Sequence, residues 1–138
     1  MALAIHEVLE KTAAKRHKAD KIQFLQSNES WALKDVLRGT YDEKIRWNLP
    51  VGSPPYQASQ EHNHPASLTR EHQKFKYFLV NGPDMPKFKR EKLYIGLLEG
   101  VHPKDAEIVV NMTNKKPIDG ISKPIVQEAF PGLIKDQD

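Results

Sequence analysis

Histidines at 62, 64 and 72, with Asn63 between the first two, are the residues of this chain that most resemble chemistry. An HNH nuclease arranges His, Asn and His around a metal on separate parts of a hairpin and helix, whereas here the three are consecutive. His-x-His can chelate, but only Glu61 and Glu71 stand near enough in sequence to complete a ligand set. Solvated loop histidines and no metal are therefore expected. Lys116-Pro117-Ile118-Asp119-Gly120 approaches the Lys-x-Asp-Gly pattern of nucleotidyltransferases, with one residue too many between lysine and aspartate. Only 18 residues follow Gly120, too few for a nucleotide pocket, so a basic turn between two helices accounts for the motif. There is no Gly-x-Gly-x-x-Gly, no Walker loop and no serine elbow. The absence of cysteine excludes disulfides, thiol nucleophiles and cysteine-held zinc. The expectation is a protein without a cofactor and without catalysis.

Two basic sets remain. Lys87, Lys89, Arg90 and Lys92 form one; Lys115, Lys116 and Lys123 surround Gly120 in the other, offset only by Asp119. Lysines at turns and helix starts can pair with phosphates, and the amides of a helix N-terminus add donors aimed at the same anion. Gly120 lets a backbone approach a ribose-phosphate chain closely. The expected anion site is Lys115, Lys116, Gly120, Ile121, Ser122 and Lys123, with Lys87, Lys89 and Arg90 extending its footprint.

The elements that must carry these residues follow from apolar spacing. Leu3, Ile5, Val8 and Leu9 predict a helix from about Ala4 to Ala14, and a polar-rich helix over Lys18 to Gln26 buries Ile22 and Leu25. Asn28 or Ser30 can cap a third, with Leu33, Val36, Leu37 and Tyr41 in its stripe and Gly39 at its last turn. Ile45, Trp47 and Leu49 alternate with polar residues, as in an extended piece. Residues 50–67 hold four prolines and no apolar period, which predicts one long irregular loop near 50–66. A helix from Ser67 to about Val80 should turn Leu68, His72, Phe75, Phe78 and Leu79 inward. Another, from Pro86 to Glu99, should bury Phe88, Tyr94, Ile95, Leu97 and Leu98. One opens at Pro103, and the last begins after Gly120 with Ser122 as cap and Pro124 in its first turn. The fold class is all-α: a single bundle of about six to seven helices over residues 1–138.

Bulk composition agrees. The chain of 138 residues is 38% hydrophobic and 28% charged with a net charge of +3, values of a folding chain with a mild leaning toward anionic partners. No apolar run reaches membrane-spanning length and the N-terminus lacks a signal peptide's apolar core, so a cytoplasmic protein is expected.

Ile5-His6-Glu7-Val8-Leu9-Glu10, the basic stretch through Lys21, Phe24-Leu25, Leu33-Lys34-Asp35-Val36-Leu37 and Thr40-Tyr41 resemble the opening of the ATP-dependent DNA ligases of T-even-type bacteriophages. Gly120-Ile121-Ser122, Ile125 and Phe130-Pro131-Gly132-Leu133-Ile134 resemble the last helix of that enzyme's N-terminal DNA-binding domain; residues 50–66 look like an insertion. The resemblance implies a phage-encoded, free-standing helical domain that grips duplex DNA through its backbone and minor groove without reading sequence. It carries the family's Gly-x-Ser turn and basic flanks onto Gly120, Ser122, Lys116 and Lys123. A competing expectation is a protein-interaction module that docks on a replication or transcription protein. A hydrolase built on His62, His64 and His72 is the remote third.

Overall fold

Local capping sets several helix ends in the computed structural model, which describes residues 3–60 and 63–134. Helix α1 spans Ile5–Ala13, and the Glu7 carboxylate of its first turn accepts from Ala4 N at 3.0 Å, satisfying an amide that the helix itself cannot. Helix α2 spans Lys18–Ser27 and stops where the Asn28 side chain donates to Phe24 O at 2.9 Å. Ser30 caps α3 (Trp31–Tyr41) by accepting from Leu33 N at 3.1 Å. Ser67 caps the single turn α4 (Leu68–Glu71), which runs on as a 3-10 helix over His72–Phe78. Helix α5 spans Lys87–Gly100, α6 Pro103–Thr113 and α7 Lys123–Ala129. His102 caps α6 with an imidazole: Nδ1 accepts from Lys104 N at 3.0 Å.

These helices form one bundle: α1 lies between α2 and α6, α3 and α5 lie on α6, and α7 closes over α2. Leu33, Val36, Leu37, Leu68, Phe78, Leu98, Val101, Val109 and Val126 fill its centre, each fully buried. Phe78 meets Tyr94 edge-on at 5.4 Å. Burial of this kind contributes about 1.5–3 kcal/mol per large apolar side chain and is the main favourable term of the fold. Among the described residues there is no sheet. The extended piece at 46–48 makes one antiparallel bridge with 78–80, through Asn48 N to Phe78 O at 2.6 Å and Val80 N to Arg46 O at 3.0 Å.

Two expectations from the sequence are corrected. The segment after Ser67 is not one α-helix: its inward residues His72, Phe75 and Phe78 recur every three positions, which three residues per turn keep on one side. Phe88 does not face inward; it is 74% exposed on the first turn of α5, and the inward stripe is Tyr94, Leu97 and Leu98. Gly39 lies in the last turn of α3, as expected. It is buried there, and the helix cap is Asp42. A Cβ there would stand 2.7 Å from the Trp47 ring and 2.8 Å from Met112 Sδ.

The irregular loop expected over 50–66 is seen in its described residues, 50–60 and 63–66, and is fastened to the bundle at intervals. Gly52 N donates to Asn114 Oδ1 at 2.7 Å and Asn114 Nδ2 returns to Gly52 O at 3.1 Å. Gln57 N and Ser59 Oγ both donate to Glu99, and Ala66 N donates to Gly100 O at 2.8 Å. The loop thus follows the C-terminal ends of α5 and α6.

The seat at Gly39 is testable. Gly39→Val should lower the free energy of unfolding by about 2 kcal/mol, because the added methyls overpack against Trp47 and Met112. Urea denaturation measures this, and a variant as stable as the parent would contradict the contact.

Candidate nucleic-acid interface

The region that the sequence singles out is built from the end of α6. Its last turn closes with Lys115 N donating to Met112 O at 3.0 Å and Lys116 N to Asn111 O at 2.9 Å, while Lys115 takes φ +56°. This is a Schellman closure with a lysine in the left-handed position that glycine usually occupies. The side chain gives a reason for lysine there. Lys115 Nζ turns back onto the end of α3, donating to Gly39 O at 2.7 Å and Asp42 O at 2.8 Å, a cation on the carbonyl end of a helix. Burial lowers the ammonium's pKa, with Asp42 and Glu43 opposing the shift.

The chain then makes a four-residue turn from Ile118 to Ile121, closed by Ile121 N to Ile118 O at 3.1 Å. Gly120 takes its third position at φ +80°, which a type II turn requires of that residue. Space demands glycine as well, because a Cβ would stand 2.8 Å from Ala13 Cβ at the end of α1. The Tyr41 hydroxyl clamps the turn from the α3 side, accepting from Ile118 N at 2.9 Å and donating to Ile121 O. Burial is the main cause that raises the Tyr41 pKa above 10.0; the Ile118 bond lowers it and Asp119 raises it further. The phenol therefore keeps its proton, and its donor role, at neutral pH.

These facts reassign several of the residues expected to meet phosphate. Lys115 is spent on the α3 carbonyls. Gly120 is shaped by its contact with Ala13, and Ile121 is 1% exposed with its amide used in the turn. Ser122 is exposed and precedes α7 without a side-chain cap bond among the described residues. Pro124 removes one of the first-turn donors of α7, a helix of only seven residues, so its N-terminus is a weak anion holder. Lys116 is exposed and Lys123 half-buried. The first basic set is divided in the same way: Lys87 and Lys89 are exposed, whereas Arg90 donates to Asn48 O at 3.0 Å and to Met85 O at 3.3 Å.

What sequence spacing did not reveal is the company of the turn. Contact of Gly120 with Ala13, and Lys21 Nζ donating to Gly120 O at 2.6 Å, place the α1–α2 connection beside it. That connection carries Lys15 and Arg16, both exposed, the former over the Phe24 ring at 4.9 Å. Lys18 follows, paired with Glu128 of α7 at 2.9 Å. The basic segment over residues 15–21 thus adjoins the loop that carries Lys116 and Lys123; Lys116 lines a cleft with Glu10, Glu107 and Asp119, and Lys123 lines another with Asp42, Glu43 and Lys115. A basic stretch a hundred residues away in sequence gives no local sign of meeting the Gly120 turn. The first of these clefts, of about 490 Å³ between α1 and α6, also takes in Lys104 and is a poor match to a single anion.

The histidines are dispersed. His62 lies outside the described residues. His64 is exposed, with Nδ1 2.8 Å from Ala66 O and its ring 5.6 Å from His102. His72 is buried, and its Nδ1 is 2.6 Å from Asp35 Oδ2, tying the 3-10 segment to α3. His6, which the sequence did not mark, pairs with buried Asp105 at 2.9 Å and stacks on His102 at 4.2 Å. Among the described residues, no group of three His, Cys, Asp or Glu side chains is placed to hold a metal ion. No helix among them is long and apolar enough to cross a membrane.

Tyr41→Phe should cost about 1–2 kcal/mol by leaving the Ile118 amide and Ile121 carbonyl unpaired. Because the folded-state pKa is the raised one, the wild-type contribution is complete below pH 10.0 and is lost as the pH climbs through the folded value. Urea titrations at neutral and alkaline pH should show a smaller alkaline loss in the variant; parallel curves with equal midpoints would count against the clamp.

The model of a family described as "Family of unknown function (DUF6433)" matches residues 8–118, from α1 through the end of α6 to the first residue of the turn. No curated protein matches the chain.

Proposed function

The chain belongs to the DUF6433 family, and for this member we propose a non-catalytic role: sequence-nonspecific binding of duplex DNA through its phosphate backbone. One observation carries the reading. The Gly120 turn is seated on the end of α1 and its carbonyl accepts from Lys21, so that the α1–α2 connection bearing Lys15 and Arg16 adjoins the loop bearing Lys116 and Lys123. Cations borne on these two adjoining segments, the corner at Gly120, suit a polyanion with regularly spaced charges, since each neutralised phosphate releases condensed counterions. Lysine and arginine that pair with phosphate supply position, not sequence information. The N-terminal arm of the corner also coincides with the basic stretch that resembles the phage ligase domain. A phage origin and a cytoplasmic site of action belong to the same reading.

A second reading, docking on a replication or transcription protein, draws support from two exposed aromatics, Trp31 at 76% and Phe88 at 74%. The two readings differ in salt response, because a mixed apolar and polar protein contact lacks the steep counterion term.

The expected outcome in DNA titrations is specific to the reassigned residues. Replacing Arg16, Lys116 and Lys123 by alanine should weaken binding to unrelated duplexes alike and flatten the log affinity against log salt plot by about one unit per lost contact. Lys115→Met should instead lower stability by about 1–2 kcal/mol and leave the slope alone. Unchanged affinity in the triple variant would remove the corner as the interface.

A further inference from the structure

We propose that the exposed face of α5 is a docking surface for a helix of a partner protein, one bearing an apolar side chain ringed by carboxylates. This inference is independent of the basic corner at Gly120. Phe88, Lys92 and Gly96 recur every four residues along α5, the interval that keeps positions on one side of a helix. All three are exposed, and Phe88 is 74% so.

Phe88 and Gly96 are unfavourable to the isolated chain, and the lysines at the start of the helix are left without carboxylate partners. Phe88 leaves an aromatic ring in water on a helix whose core contacts come from Tyr94, Leu97 and Leu98. Glycine is the poorest helix former after proline, yet Gly96 occupies the interior of a 14-residue helix. Nothing among the described residues requires it: a Cβ at Gly39 or Gly120 would collide with a neighbour, but one at Gly96 would meet nothing within 4 Å. Lys87, Lys89 and Lys92 make no ion pair among the described residues, and the first turn of α5 has no acidic residue although the start of a helix favours negative charge. Against them stands Glu91; Glu99, farther along, accepts from Gln57 N at 2.8 Å.

One occupant removes all three costs. A helix crossing at Gly96 approaches the α5 backbone where no side chain intervenes, covers the Phe88 ring with an apolar residue, and sets its carboxylates among Lys87, Lys89 and Lys92. Charge complementarity selects an acidic partner surface. The apolar ring and the glycine, two turns apart, select a protein helix over a nucleic-acid backbone, which gains little from an exposed aromatic ring or a bare glycine.

The probe is a stapled helical peptide with leucines on one face ringed by glutamates, compared with its lysine-ringed counterpart by fluorescence anisotropy on the full chain. The acidic peptide should bind about tenfold or more tighter, and Phe88→Ala and Gly96→Leu should each weaken it by about tenfold. Gly96→Ala should raise Tm by about 2–6 °C, which shows that the fold has no use for glycine there. The Arg16, Lys116 and Lys123 alanine variant should bind the peptide as the parent does, so that failure of the DNA reading and failure of this one are told apart. Equal binding of the two peptides, indifference to both substitutions, or a fall in Tm for Gly96→Ala would overturn the proposal. Full displacement of the peptide by duplex DNA would assign the face to nucleic acid instead.

Discussion

The absence of one methyl group at Gly39 sets how closely α6 can approach α3, and much of the molecule follows from that approach. Met112 and the Trp47 ring occupy the space that a side chain on α3 would fill. The Gly39 carbonyl, left over at the end of α3, receives Trp47 Nε1 at 3.1 Å and Lys115 Nζ at 2.7 Å. Glycine therefore acts twice, through missing bulk and through a carbonyl open to two donors. Because Lys115 is thereby fixed, the turn that follows leaves α6 in a defined direction and arrives where Tyr41 and Ala13 hold it.

Neighbouring lysines have opposite duties here. Lys115 points into the structure and satisfies carbonyl oxygens, whereas Lys116 is left in water. Composition treats them alike. Helix ends separate them, since a cation within reach of unpaired carbonyls is drawn to those before any external anion. The same division sorts Arg90, tied to Asn48 and Met85, from Lys87 and Lys89.

Periodicity and capping chemistry made most of the helices legible. Ser30, the prolines at 86, 103 and 124, and the apolar stripes of α1 and α3 lie where their signals place them. Three-residue spacing over His72, Phe75 and Phe78 was visible too, but a window tuned to 3.6 absorbs it into one longer helix. Phe88 was not legible because hydrophobicity alone does not imply burial at a single surface position. The site was less legible: Lys116 and Lys123 stand out in the sequence, yet the approach of Ala13 and Lys21 to the Gly120 turn between them comes from tertiary packing alone. His102 as a cap carries no propensity signal, and His6 and Asp105 are joined across 99 positions.

The loop between the two halves of the bundle has a mechanical meaning. The described part of this loop is not a free arc: Gly52 is buckled to Asn114, Gln57 and Ser59 to Glu99, and Ala66 to Gly100. A protease that nicked the backbone between two of these buckles would leave both pieces strapped to the ends of α5 and α6, still sharing one core. The belt thus offers a place where the polypeptide can be opened, lengthened or rejoined without unmaking the body it encircles.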